Sequence, residues 1–424
     1  MRHRLAAAIS LAILWAPAAP ALTVDCGRLL DVKTGQWRER VSIDVDNGKV
    51  TAVHPTSAKG AVDLTGYSCL PGLLDMHVHL ASQIKNQAQT YADTLFANPQ
   101  DAAYESVGYA EKTLLAGFTT VRDLGADDNL NISMKRAVNK GWIKGPRIFA
   151  AGKAIGSTGG HADPTDALNQ KFTRDLGPAD GIINGADDAR KAVRQRYKDG
   201  ADVIKIMTSG GVLDLSASGD NPQLTEDEVR AVVATAKDYG FRVAVHAHGA
   251  EGIKRAIRGG VDSIEHGTYM DEEAIRLFKK MGTWYVPTLS AGKFCEEKAK
   301  LPDYFPPVVR PKALAIGPLM QGTFAKAYKA GVKIAFGTDT AVSPHGDNAK
   351  EFAYMVEAGM PAAEAIRAAT LHAAELLGQA GKVGVVEPGA FADVIAVEGD
   401  PLKDVTLLQH VKFVMKEGVV YARP

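Results

Sequence analysis

Apolar and polar positions follow a short period at both ends of the chain and a longer one between them. From Leu22 to about Tyr67 the pattern is that of short strands: Thr23 to Leu30, Val41 to Val45 and Val50 to Val53, with Asn47-Gly48 as a hairpin turn before the last. After Gly381 the same habit returns in Val383 to Val386, Pro388-Gly389, Ala392 to Val397 and Val411 to Val420. Segments 22–67 and 381–424 therefore read as the two halves of one small composite β-sandwich domain.

Between them, short apolar runs alternate with segments of helical length. The runs are Leu73 to His79, Thr119 to Arg122, Arg147 to Ala151, Val203 to Met207, Arg242 to His246, Ser263 to His266, Trp284 to Thr288 and Lys333 to Gly337. The intervening helices are Asp101 to Ala116, Ile132 to Asn139, Asp187 to Lys198, Glu226 to Tyr239, Glu251 to Arg258, Asp271 to Met281, Pro311 to Lys329 and Ala362 to Leu377. Thr225 with Glu228 is a capping box for the fourth, and Gly240 is its expected left-handed stop. Eight such units predict an α/β fold, a (β/α)8 TIM barrel over residues 68–380 with its chemistry at the C-terminal ends of the strands. Two longer insertions, Gly156 to Gly185 and Leu289 to Arg310, are expected lids over that face.

Composition narrows the partners. Of 424 residues 46% are hydrophobic, and 49 basic side chains balance 49 acidic ones, so no cationic field exists for nucleic acid. Residues 1–21 combine a basic start, an apolar run from Leu5 to Trp15 and Ala19-Pro20-Ala21, which predicts a signal peptide cleaved near Ala21 and a periplasmic or secreted protein. No later run reaches the ~20 apolar residues of a bilayer span, so no membrane partner is expected. The three cysteines leave two readings: Cys26 and Cys69 form one bridge with Cys295 left over, or all are buried thiols.

The eleven histidines carry most of the chemistry. His77 and His79 stand two apart at the end of the first barrel strand and so share a face, either as a chelating pair or as two structural side chains. His246 and His266 end later strands, and Asp339 follows the last, which places five ligand-type groups at one barrel mouth. Lys205 lies inside the apolar strand Val203 to Met207, where burial disfavours its ammonium. A neutral amine there would react with carbon dioxide to a metal-bridging carbamate, while a charged one would pair with a barrel acid. No GxSxG elbow, dinucleotide fingerprint or phosphate loop is present.

Leu70 to His79 (LPGLLDMHVH), followed in order by Lys205, His246, His266 and Asp339, resembles the amidohydrolase superfamily. Ser157 to Asp163 (STGGHAD), Ile204 to Val212, Val245 to Gly249 and Ile264 to Met270 are similar to its Xaa-Pro dipeptidase and imidazolonepropionase-like branch, which includes ochratoxin-hydrolysing carboxypeptidase-like enzymes. The resemblance implies two divalent metal ions, zinc foremost. His77, His79 and Asp339 would hold one, His246 and His266 the other, with N6-carboxylated Lys205 between them. It implies a metal-bridging hydroxide as nucleophile and Asp339 as proton shuttle. His161 and Tyr269 become substrate-binding candidates, His345 either lines the entrance or ties down its loop, and His248 supports the ligands from behind. The implied reaction is hydrolysis of the amide bond to a C-terminal amino acid, in Xaa-Pro-type dipeptides or N-acyl amino acids such as ochratoxin. The alternative is a cyclic-amide hydrolase or deaminase with one metal. The expected partner is a small-molecule or dipeptide substrate, and the expected assembly a homo-oligomer, up to an octamer.

Overall fold

The computed structural model describes residues 21–56, 60–216 and 218–424; the expected secretion signal, apart from Ala21, lies outside the described residues. The strands are β1 (Leu22–Asp31), β2 (Gln36–Asp46), β3 (Lys49–Pro55), β4 (Val62–Pro71), β5 (Leu73–Val78), β6 (Phe118–Asp123), β7 (Arg147–Ala150), β8 (Val203–Met207), β9 (Arg242–Ala247), β10 (Ser263–His266), β11 (Trp284–Val286), β12 (Val394–Val397), β13 (Phe413–Lys416) and β14 (Val419–Ala422). The α-helices are α1 (Gln87–Phe96), α2 (Pro99–Leu115), α3 (Leu130–Asn139), α4 (Ala186–Asp199), α5 (Glu226–Asp238), α6 (Ala250–Gly259), α7 (Glu272–Met281), α8 (Leu289–Ala299), α9 (Arg310–Lys329), α10 (Lys350–Glu357), α11 (Ala362–Arg367) and α12 (Ala373–Leu377). The helix over Glu226–Asp238 begins with the expected box, Thr225 and Glu228 capping each other.

Strands β5-β6-β7 and β8-β9-β10-β11 form two parallel arcs of a TIM barrel. Every residue of β5, β6, β8 and β10 is buried, as expected for strands covered on both faces. The arcs meet where Ile155 pairs with Ile206. On the other side the expected eighth strand, Lys333 to Gly337, is not a continuous strand. It closes the barrel by single bonds to alternate neighbours: Tyr285 N–H to Lys333 O, Ala335 N–H to Tyr285 O and Met76 N–H to Phe336 O. Gly337 explains the tight seam, because a Cβ there would collide with Val286 and press on the backbone of His77.

Two other expectations need correcting. Leu289 to Arg310, read as a lid loop, begins with α8, whose Leu289, Ala291, Cys295 and Ala299 are buried against the core. The helix expected over Ala362 to Leu377 is split by a π-type turn at Ala368–His372, where the Thr370 hydroxyl bonds back to Ile366 O at 2.7 Å.

The chain ends meet in one seven-stranded sheet, ordered β14-β13-β12-β4-β1-β2-β3. Strand β4 joins the halves, parallel to β1 and antiparallel to β12. This composite β-sandwich domain has its own core of Val24, Ile43, Leu64, Val394, Phe413 and Met415, spanned by a disulfide between Cys26 and Cys69. Val383 to Val386, expected as a strand, forms none. Arg147 fastens the domain to the barrel through Asp393, at 2.7 Å, and Glu417, at 2.5 Å.

Candidate metal centre

Four of the barrel strands and the turn after the closing seam deliver the donors to the barrel mouth. His77 and His79 come from the end of β5, Lys205 from β8, His246 and His248 from β9 and the residue after it, and His266 from β10. Asp339 follows the seam and lies with its Oδ1 3.5 Å from His77 Nε2 and 3.4 Å from His79 Nε2. Lys205 Nζ is 3.4 Å from His77 Nε2. The His246 and His266 ring centroids are 4.6 Å apart. All six residues expected as ligands thus face one point. His248 joins them: the donor atoms of His246, His248 and His266 lie within 4.8 Å of one another, as do those of His77, His266 and Asp339.

In each imidazole one nitrogen is held from outside. His77 Nδ1 meets Glu265 Oε2 at 3.0 Å, and His79 Nδ1 meets Gly125 O at 2.9 Å. His266 Nδ1 and His248 Nδ1 meet the hydroxyls of Thr288 and Thr268, both at 2.7 Å. His246 is turned over, with Nε2 3.1 Å from Gly210 O. The remaining nitrogen of every ring is left for the centre, which is the outer arrangement that orients imidazole ligands toward a cation.

Burial sets the protonation states. It drives the imidazoles of His77, His246 and His266 well below their ordinary value, and His79 to about 4, so all are neutral donors at pH 7. Lys205 is pushed down to about 8, chiefly by burial, with Glu265 and Asp339 opposing. Burial raises Asp339 to about 7, with Lys205 pulling the other way. Neutral imidazoles, a carboxylate and an amine near neutrality suit divalent zinc-type ions.

The backbone is bent to hold this set. His266, Thr288 and Asp339 have φ of 71°, 52° and 58°, the left-handed region that bulky residues seldom enter. Below the mouth, Glu265 and Arg122 form a buried pair that sequence reasoning did not assign. Glu265 Oε1 accepts from Arg122 Nη2 at 2.8 Å and Ser263 Oγ at 2.5 Å, while Arg122 Nε donates to Met76 O at 2.7 Å. The signal was present in sequence as two charged residues inside apolar strands.

The other expected residues take different places. His161 stacks on His246 at 4.2 Å, its Nδ1 2.6 Å from Asp214 Oδ1. Its ring occupies the space that a Cβ on Gly211 would need, so the glycine makes room for it. Tyr269 is partly exposed at the rim, its N–H bonded to His248 O. His345 is buried away from the ligands, its Nε2 2.8 Å from Ser82 O.

Comparison with known proteins identifies the family. The amidohydrolase family profile matches residues 69–421. The chain is 34% identical over 382 residues to ochratoxinase of Aspergillus niger, covering 84% of this chain and 76% of that protein. It superposes with a TM-score of 0.91 on the crystal structure of an Xaa-Pro dipeptidase with bound methionine in the active site, at 49% identity, covering 94% of this chain and 99% of the other. A prolidase complexed with N-methylphosphonate-L-proline superposes at 0.85, with 31% identity and 95% and 99% coverage. The chain belongs to the amidohydrolase family, in the branch its motifs resemble, and is a hydrolase of amide bonds.

Proposed function

We propose that the chain is an exported, binuclear metal-dependent amidohydrolase that releases the C-terminal amino acid from Xaa-Pro-type dipeptides or N-acyl amino acids such as ochratoxin. The observation that carries this reading is the convergence of five outwardly anchored imidazoles, Asp339 and Lys205 on one point. His77, His79 and Asp339 would hold one ion and His246 and His266 the other, with Lys205 between them as its carbamate. Bound there, divalent ions supply Lewis acidity toward the scissile carbonyl and lower the pKa of water toward neutrality.

The chain's own groups do the rest. Asp339, raised to about 7, takes a proton from the attacking water and returns it to the departing nitrogen as the C–N bond breaks. His161, oriented by Asp214, and Tyr269 donate to the substrate carboxylate or to the developing oxyanion. The Cys26–Cys69 disulfide supports export to an oxidising compartment.

The set His246, His248 and His266 favours a second reading, a one-metal cyclic-amide hydrolase or deaminase. A panel of Xaa-Pro dipeptides, other dipeptides and N-acyl amino acids, assayed with metal analysis on the wild type and Lys205→Ala, separates the two. Free amino acid released by the wild type with about two ions per chain supports the first. Near one ion per chain, with Lys205→Ala still active, supports the second.

A further inference from the structure

Helix α9 reaches, with one side chain each, the two loops that hold His161 and Tyr269 in place. Lys312, in its first turn, donates from Nζ to Asp214 O and to Ser216 O, both at 2.7 Å. Thr323, about three turns further along, donates from Oγ1 to Thr268 O, also at 2.7 Å, and Thr268 directly precedes Tyr269. The start of α9 is itself fixed, because Arg310 Nε donates to Ala299 O at the end of α8 at 2.9 Å.

The bonds from Lys312 matter because of what their loop carries. After β8 the chain runs out and folds back on itself: Ser209 pairs with Pro222, Gly210 N–H donates to Asn221 O at 3.2 Å, and a Cβ on Gly219 would press on Gly211 O. Beyond that narrow neck, Asp214 meets His161 Nδ1 with one carboxylate oxygen and accepts from Gly211 N–H with the other, both at 2.6 Å. The returning limb holds the main chain of the same histidine, where Gln223 Oε1 accepts from His161 N–H at 2.9 Å. Lys312 thus clamps the turn on which Asp214 sits by charge-assisted bonds to two of its carbonyls. Without them the tip is free to pivot at its glycine-lined neck and carry the Asp214 carboxylate off the His161 ring.

We infer that α9 sets the spacing of the substrate-binding groups, with Lys312 as a positioning residue for His161, acting through Asp214, and Thr323 as its counterpart for Tyr269. The inference rests on the amide-hydrolase reading above and adds to it two side chains that act from outside the site. Two donors that must meet one substrate gain from a common backing, because a displacement at either anchor changes the distance between them.

The test uses the metal-loaded full-length protein with leucyl-proline and N-acetyl-phenylalanine as substrates. Lys312→Met keeps the reach of the side chain and removes its ammonium, whereas Lys312→Arg keeps a cationic donor. A hydrogen bond to a charged group is worth about tenfold in an equilibrium. In Lys312→Met the amides of residues 210–216 should therefore exchange with deuterium about tenfold faster, through easier local opening, and kcat/KM should fall about tenfold at unchanged metal content. Lys312→Arg should restore both. Asp214→Asn combined with Lys312→Met should be no less active than Asp214→Asn alone, since Lys312 acts through that carboxylate. Thr323→Val should instead loosen residues 266–270 and lower kcat/KM about fivefold, the worth of a neutral hydrogen bond. Wild-type exchange of residues 210–216 in Lys312→Met, losses that simply add in the double variant, or equal loosening of both loops by either substitution overturns the proposal. Local loosening as expected, with neither substrate cleaved by the wild type, supports the role of α9 and overturns the amide-hydrolase reading instead.

Discussion

Glu265 is the residue whose replacement should be most informative, because it serves three donors at once. Its carboxylate accepts from His77 Nδ1, Arg122 Nη2 and Ser263 Oγ, at 3.0, 2.8 and 2.5 Å, and both it and Arg122 are at most 1% exposed. Glutamine has nearly the same shape but only one accepting oxygen. If its Oε1 faces Arg122, its NH2 faces His77 and forces the ring proton onto Nε2, the atom meant for the metal. If its Oε1 faces His77, its NH2 opposes the guanidinium. The first arrangement should weaken metal binding by about 10- to 100-fold, the usual cost of losing an outer partner of a ligating histidine. Removing the counter-charge of a buried Arg122 should also destabilise the fold by about 3 to 5 kcal/mol. Metal affinity by competition with a chromophoric chelator, and stability by urea unfolding of metal-free protein, measure the two effects separately. Adding Arg122→Met to Glu265→Gln should recover stability without restoring metal affinity. Wild-type affinity in folded Glu265→Gln would refute the argument that this carboxylate orients His77.

Asp339→Asn should keep most of its metal by elemental analysis while turnover falls by about 10²- to 10⁴-fold, the range for losing a proton-transfer group; retained turnover would remove the shuttle role. Replacing Cys26 and Cys69, 43 residues apart, by serine should cost about 4 kcal/mol by the loop-closure estimate, and reductant should lower the melting temperature of the wild type but not of the variant. Burial holds His345 at about 4, below its ordinary 6.5, so the unfolded chain binds the extra proton first as pH falls. Its contribution is fully present above pH 6.5 and is lost toward pH 4, up to about 3 kcal/mol. His345→Gln should therefore show a shallower acid decline in urea unfolding, and equal slopes would count against a neutral buried imidazole.

The strongly periodic parts of the chain were legible. Val203 to Met207 is a buried apolar run and forms a strand over the same residues, and Thr225 with Glu228 starts its helix where the capping pattern indicates. Less visible were features set by tertiary contact. Lys333 to Gly337 has the composition of a strand, yet Gly337 is wedged between Val286 and His77, and the chain then turns through positive φ at Asp339. The helix at Leu289 was hidden because its start is fixed from far away: Glu351 accepts from Leu289 N–H and Ser290 N–H at 2.8 and 2.6 Å. At the mouth, strand ends and residue types were enough to bring His77, His79, Lys205, His246, His266 and Asp339 forward. Glu265, Asp214 and Thr288 were not singled out, because their partners are decided by which loops meet in space.

Because β4 lies between β1 from the start of the chain and β12 from near its end, the composite sheet cannot be completed until the last residues have been synthesised. Until then the nascent polypeptide carries an open, adhesive β4 edge, of the kind that pairs with other chains. A ribosome-bound or truncated product lacking β12 should therefore depend on a holding chaperone, and a stop codon between Gly337 and Val394 should yield insoluble material even though every barrel segment has already been made.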